Sequence, residues 1–215
     1  MDEQQVIRHL SVVAEATRTS SIVVGSSTMS PLLPKSTDDL YGFWRQGLSA
    51  LAVKDGLVVG HAAIEPLTAD WFELGAVWVH PSLRGKSGAV GNKPHVGLRI
   101  YRAILDRHRE KNILATTVNA AAMIIGWRTD MVPIAYADLP RRVWVATCCC
   151  PEDKTGLPRE RNVPHCPLLE KICFVRITRE TWERLGRPPV GKLPIEPPND
   201  GALILRDDVA IVLAS

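Results

Sequence analysis

Hydrophobic positions recur along this chain with two periods, and the places where the period changes divide it into elements. In residues 5 to 16, Val6, Ile7, Leu10, Val13 and Ala14 fall at helical spacing and predict an amphipathic helix. Ile22-Val23-Val24 predicts a short first strand, and the turn-rich GSSTMSPLLPKS of residues 25 to 36 a loop. Ser36 or Thr37 can cap a second helix carrying Leu40, Phe43, Trp44 and Leu48, with Gly47 near its end. Ser49 to Lys54 and Leu57 to Glu65 flank Asp55-Gly56, a strong short-range hairpin signal. A further strand starts at Glu73. Its run from Leu74 to Val79 is apolar without alternation, which predicts cover on both faces, and Pro81 ends it.

The second half follows the same logic. Val96, Ile100, Ala103 and Ile104 predict a helix, Ile113 to Val118 a buried strand, and Asn119 to about Thr129 a helix. Val132-Pro133-Ile134 predicts a short strand, and Asp138-Leu139-Pro140 the start of a helix holding Val143, Trp144 and Thr147. Ile172 to Ile177 predicts a strand, and Thr178 caps a helix to about Leu185. Residues 186 to 200 contain five prolines and should be extended. The ending ALILRDDVAIVLAS predicts two short strands around Arg206-Asp207-Asp208, which either close a sheet or pair with a second copy in a homodimer.

Composition narrows the class. At 215 residues, with 46% hydrophobic and 23% charged positions, the chain is long enough for one well-buried soluble domain with an appended subdomain. No apolar run approaches the ~20 residues that span a bilayer, and MDEQQVIRHL lacks a secretory signal, so no membrane partner and a cytoplasmic location are the expectations. A net charge of +3 does not indicate nucleic acid. The five cysteines are odd in number and three are consecutive, an awkward geometry for disulfides that suits a reducing compartment. Cys148, Cys150, His165, Cys166 and Cys173 offer soft zinc ligands, but without clean C-x₂₋₄-C pairs; the expectation is buried reduced cysteines and no metal site.

The turn between Pro81 and Val96 carries the chemistry. Arg84, Gly85, Lys86, Ser87, Gly88, Ala89, Val90 and Gly91 mix small residues with cations at the entrance to a helix. Bare backbone N–H groups and the positive end of a helix dipole suit phosphate. A nucleotide P-loop would need glycine where His80 stands, and the dinucleotide spacing fails because the glycines fall at 85, 88 and 91.

What remains resembles the GNAT superfamily of acyl-CoA-dependent N-acetyltransferases. The residues that carry the likeness are Glu73 near the start of its strand, Val79-His80-Pro81, the turn from Arg84, and Asn119 with Ala122 after the strand ending at Val118. It covers roughly residues 40 to 136. The chain departs from the pattern in an RxxxGA spacing after Arg84, in Gly126 where a tyrosine acid is usual, and in Asp130-Met131 where Gly-Phe closes the helix. Tyr101 and Tyr136 are the tyrosines downstream of the turn, and neither is assigned as the acid.

The resemblance implies an α/β GNAT fold, a mixed and mainly antiparallel sheet with helices on both faces. Residues 1–137 would form the acyltransferase core and 138–215 an extension completing or decorating the sheet. It implies acetyl-CoA as cosubstrate and a primary amine as acceptor, with direct attack of the amine on the thioester. Val77, Trp78 and Val79 would meet the pantetheine arm, residues 84 to 91 with Asn119 and Ala122 would hold the cofactor, and Glu73 would be the general base. The alternative is a catalytically degenerate CoA-binding or interaction module. Acceptor specificity lives in loops that the motif does not encode.

Overall fold

The computed structural model describes residues 1–19, 22–24, 27–29, 35–84, 95–117, 120–135, 138–147, 174–191 and 208–214. In chain order its elements are α1 (Glu3–Thr19), β1 (Ile22–Val24), β2 (Ser27–Met29), α2 (Thr37–Arg45), β3 (Ser49–Lys54), β4 (Leu57–Pro66) and β5 (Trp71–Val79). After a 3₁₀ turn, Pro81–Leu83, come α3 (Val96–Arg107), β6 (Asn112–Thr117), α4 (Ala120–Arg128), β7 (Val132–Ile134), α5 (Arg141–Thr147), β8 (Phe174–Ile177), α6 (Arg179–Arg184) and β9 (Ala210–Leu213). The chain divides into two compact units, Met1–Ile64 with Gly75–Arg107 and Pro198–Ser215, and Glu65–Leu74 with His108–Pro197. Strand β5 contributes its first residues to one and its last to the other. Among the described residues, no helix is long and apolar enough to cross a membrane.

In the first unit the strand order is β5-β4-β3-β9. Turn chemistry sets the β3–β4 hairpin: Asp55 and Gly56 both take positive φ, 50° and 76°, as a two-residue primed turn requires. One face of the hairpin is covered by α1 and α2, whose Val6, Leu10, Val13 and Leu40 pack with Leu51, Val58, Ala63, Ala76 and Trp78. Ile7, expected on the buried stripe of α1, is 36% exposed, because it lies about 100° around the helix from Val6 and falls at the stripe's edge. Thr17 is buried in its place on that stripe and donates its hydroxyl to the Ala14 carbonyl at 2.9 Å. A capping box starts α2: Ser36 Oγ accepts from Asp39 N–H at 3.1 Å, and Asp39 Oδ2 accepts from Ser36 N–H at 3.0 Å.

The other face meets α3. A Cβ on Gly60 would lie 2.6 Å from Ile100 Cδ1 and 2.8 Å from Val96 Cγ1, so the helix rests directly on strand backbone there. Gly60→Ala is expected to cost about 1–3 kcal/mol by overpacking. A urea melt checks it, and an unchanged midpoint would show that α3 is not seated on that glycine.

Closure of the β3 edge comes from β9, antiparallel from Ala50↔Leu213 to Val53↔Ala210, with Lys54 Nζ 2.9 Å from Asp208 Oδ2. The closing role is therefore found for the second of the two expected terminal strands. The first, Ala202 to Leu205, lies outside the described residues.

In the second unit the order is β7-β8-β6-β5. β5 and β6 run parallel through Trp71↔Asn112, Phe72↔Ile113 and Glu73↔Leu114, whereas β6–β8 and β7–β8 are antiparallel. Trp71, Leu114, Val132, Ile134, Leu139, Val143, Val175 and Ile177 form the core on one face. Thr178 caps α6, and its hydroxyl lies 2.7 Å from that of Thr181, which accepts Ile113 N–H at 3.0 Å. The class is thus mixed α/β with a mainly antiparallel sheet. The expectation that Leu74 to Val79 is covered on both faces needs correction: Leu74, Ala76 and Trp78 are buried, while Gly75, Val77 and Val79 are only half-buried. An apolar run records residue type and not what covers it.

Candidate functional site

Glu73 occupies the last pair of the parallel ladder, opposite Leu114. Two residues further along β6, hence on the same face by the two-residue period, the Thr116 hydroxyl donates to Glu73 Oε1. That bond fixes the carboxylate's rotamer at the end of the ladder, where Glu73 is half-buried. A carboxylate so held can take a proton from a substrate or a water.

Further along β5, Ala76 has φ 48°, the left-handed region, in the interior of a strand. Its carbonyl oxygen lies 2.8 Å from Nδ1 of His61, which is fully buried on β4. A carbonyl only accepts, so Nδ1 carries the proton and His61 is the Nδ1–H tautomer. Nε2 then has a bare lone pair, and it is buried with no hydrogen-bond partner among the described residues. Burial pushes the imidazole pKa down to about 4, the Ala76 contact opposing in part, so the ring is neutral at pH 7.

Val77 and Val79 are half-buried, whereas Trp78 is 4% exposed and packed in the first unit's core, edge-on to the His80 ring at 6.0 Å. Arg84 is exposed; its Nε donates to the Val79 carbonyl at 2.7 Å and its backbone N–H to the Pro81 carbonyl at 3.2 Å. The carbonyl that the resemblance would offer to pantetheine thus already accepts one bond from the first cation of the turn. His80 caps the 3₁₀ turn, with Nδ1 2.7 Å from Ser82 Oγ and 3.3 Å from Ser82 N. Gly85, Lys86, Ser87, Gly88, Ala89, Val90, Gly91, Asn119, Tyr136 and the cysteine group with His165 lie outside the described residues.

Ala122 is half-buried in α4, and its carbonyl accepts from Arg176 Nη1 at 2.7 Å. The same Nη1 donates to the Met123 carbonyl at 2.6 Å. Arg176 is wholly buried on β8, and its guanidinium lies against Gly126: a Cβ there would come within 1.8 Å of Nη1 and 2.3 Å of Cζ. Sequence reasoning missed this residue. The signals were an arginine between Val175 and Ile177, and a lone glycine inside the otherwise strongly helix-forming AAAMIIGWR. Tyr101, one of the two unassigned tyrosines, is buried on α3.

No family model matches the chain, and no curated protein matches it. Four chains of solved structures are similar, three of them as follows. Rv2747 from Mycobacterium tuberculosis, in complex with CoA and NLQ, is 16% identical with a TM-score of 0.48, over 80% of this chain and 92% of that one. N-acetylglutamate synthase from Neisseria gonorrhoeae, complexed with coenzyme A and N-acetyl-glutamate, is 16% identical with a TM-score of 0.44, over 82% of this chain and 32% of that one. Ribosomal-protein-alanine N-acetyltransferase from Brucella melitensis is 18% identical with a TM-score of 0.45, over 63% of this chain and 83% of that one. Overlaps this loose assign no residue a role, and the α/β class stands on the ladders themselves.

Proposed function

We propose that this chain is an acyl-CoA-dependent N-acyltransferase of the GNAT superfamily, transferring acetyl from acetyl-CoA to a primary amine by direct attack. The observation that carries the reading is Glu73, a half-buried carboxylate at the end of the parallel β5–β6 ladder, held there by Thr116. The order of elements supports it: β5 runs into a 3₁₀ turn, a basic glycine-rich stretch and α3, and β6 runs into α4.

In this reading the amides of residues 84 to 91 and the head of α3 hold the CoA pyrophosphate, and main-chain groups of Val77 and Val79 meet the pantetheine arm. The half-buried side of β5 at Val77 and Val79 suits such a ligand. Residues 1–137 form the acyltransferase core, and 138–215 extend it. Among the described residues, β8 and β9 are the strands that extension adds.

Glu73 takes a proton from the acceptor amine, directly or through a water. The freed amine nitrogen then attacks the thioester carbon and the new C–N bond forms; the nitrogen gives a second proton to solvent as the C–S bond breaks, and the CoA thiolate leaves and is protonated from solvent. Glu73→Gln is expected to lower kcat on the order of 10²-fold while acetyl-CoA affinity stays within about twofold. Unchanged turnover would reject the base.

One observation favours a second reading, a CoA-binding module without turnover. Gly126 stands where the family usually carries its acid tyrosine, and the Arg176 guanidinium fills the adjoining space. Acetyl-CoA titration by calorimetry, followed by thiol release against an amine panel, separates the two. Binding with no release on any amine favours the module, and no binding removes both.

A further inference from the structure

Of the described non-glycine residues with positive φ, Asp55, Asp130 and Arg187 stand outside strands and helices, whereas Ala76, at 48°, stands inside β5. Alanine has a Cβ and no side-chain hydrogen bond to offset a left-handed backbone, so the conformation persists only where its surroundings impose it. The buried imidazole of His61, with Nδ1 2.8 Å from the Ala76 carbonyl, has the geometry to do so. His61 is itself fixed. It lies directly across from Leu51 on β3, in the face that α1 and α2 cover, and is 0% exposed. Among the described residues its Nε2 has no partner, and Ala76 O is the one hydrogen bond the ring makes.

We propose that His61 is a positioning residue: by donating Nδ1–H to the Ala76 carbonyl it keeps the left-handed residue in β5 and so sets the course of Val77 and Val79. For its bearing on ligand affinity this rests on the acyltransferase reading, in which those two residues meet the pantetheine arm. A histidine that merely filled core volume would leave β5 unaffected once that volume was replaced. A histidine that holds a strained residue becomes dispensable when the strain is removed. Glycine takes positive φ freely, so Ala76→Gly should make His61 unnecessary.

The test uses His61→Leu, which loses the donor, His61→Asn, whose Nδ2 keeps a donor at the same reach as Nδ1, and the double variant His61→Leu/Ala76→Gly. Amide hydrogen exchange across Gly75–Val79 is read without ligand, and acetyl-CoA Kd by calorimetry. His61→Leu is expected to speed exchange in that segment and to raise Kd about tenfold, the loss of one buried hydrogen bond. His61→Asn and the double variant are expected to return both to within about twofold of wild type. Wild-type exchange in folded His61→Leu, or no recovery on adding Ala76→Gly, overturns the proposal. Should His61→Leu fail to fold, His61→Asn and His61→Gln carry the comparison, with protection kept by Asn and lost by Gln; equal exchange in the two overturns it. If wild type binds no acetyl-CoA the acyltransferase reading falls, and the exchange data still decide the His61 contact.

Discussion

Gly126→Ala destabilises the second unit by about 3–5 kcal/mol, the scale for a buried charge that loses its partners. Helix propensity alone argues the other way, since alanine inside a helix is worth up to about 1 kcal/mol over glycine. The new Cβ would lie 1.8 Å from Arg176 Nη1 and 2.9 Å from Nη2. An arginine tip in solvent would swing aside at little cost. This one is 0% exposed and held by the Ala122 and Met123 carbonyls at 2.7 and 2.6 Å, so moving it breaks charge-assisted bonds where no water replaces them. The check is a urea melt of Gly126→Ala beside Gly126→Ala/Arg176→Met. The single variant should lose most of its midpoint, and the double should recover much of it, because the cation is gone and the alanine then fits. A single variant within 1 kcal/mol of wild type would mean that the guanidinium is not seated against α4.

Acidification from pH 7 to pH 4 removes about 3 kcal/mol of stability through His61. Burial depresses its folded pKa to about 4, against an ordinary value of 6.5. Above pH 6.5 both folded and unfolded chains hold it neutral, and it costs nothing. Between 6.5 and 4 the unfolded chain takes up a proton that the folded chain refuses, so stability falls with pH and levels off below 4. Other groups titrate in that range too, so the informative quantity is the difference between wild type and His61→Asn in urea melts at pH 7, 5.5 and 4. The wild-type loss should exceed the variant's by that amount. Parallel pH profiles would show that the ring is solvated or already charged.

Much of the architecture was readable because it rests on local rules. Asp55-Gly56 fixes a hairpin through φ, Ser36 and Thr178 cap helices through their own hydroxyls, and Val6, Leu10 and Val13 mark a stripe by periodicity. What escaped depends on residues distant in sequence. Glu73 was picked out by its place in a strand, but its Thr116 partner requires the parallel register of β5 on β6. Arg176 passes for an ordinary strand residue in the sequence, because only the folded chain brings the α4 carbonyls and the gap at Gly126 to it. A lone histidine in a strand, such as His61, is ordinarily structural, and its hold on the left-handed Ala76 could not be foreseen from an alanine inside an apolar run.

The antiparallel register of Ala50 with Leu213 has a consequence for biosynthesis. A hairpin laid down early waits for a flanking strand that begins only at Ala210, and until that strand is free to pair Ala50 to Val53 present an open apolar border. The nascent protein is thus open to self-association along that border until residues 210 to 213 have emerged and paired. Trimming a few residues from 210 onward would leave that hazard permanent.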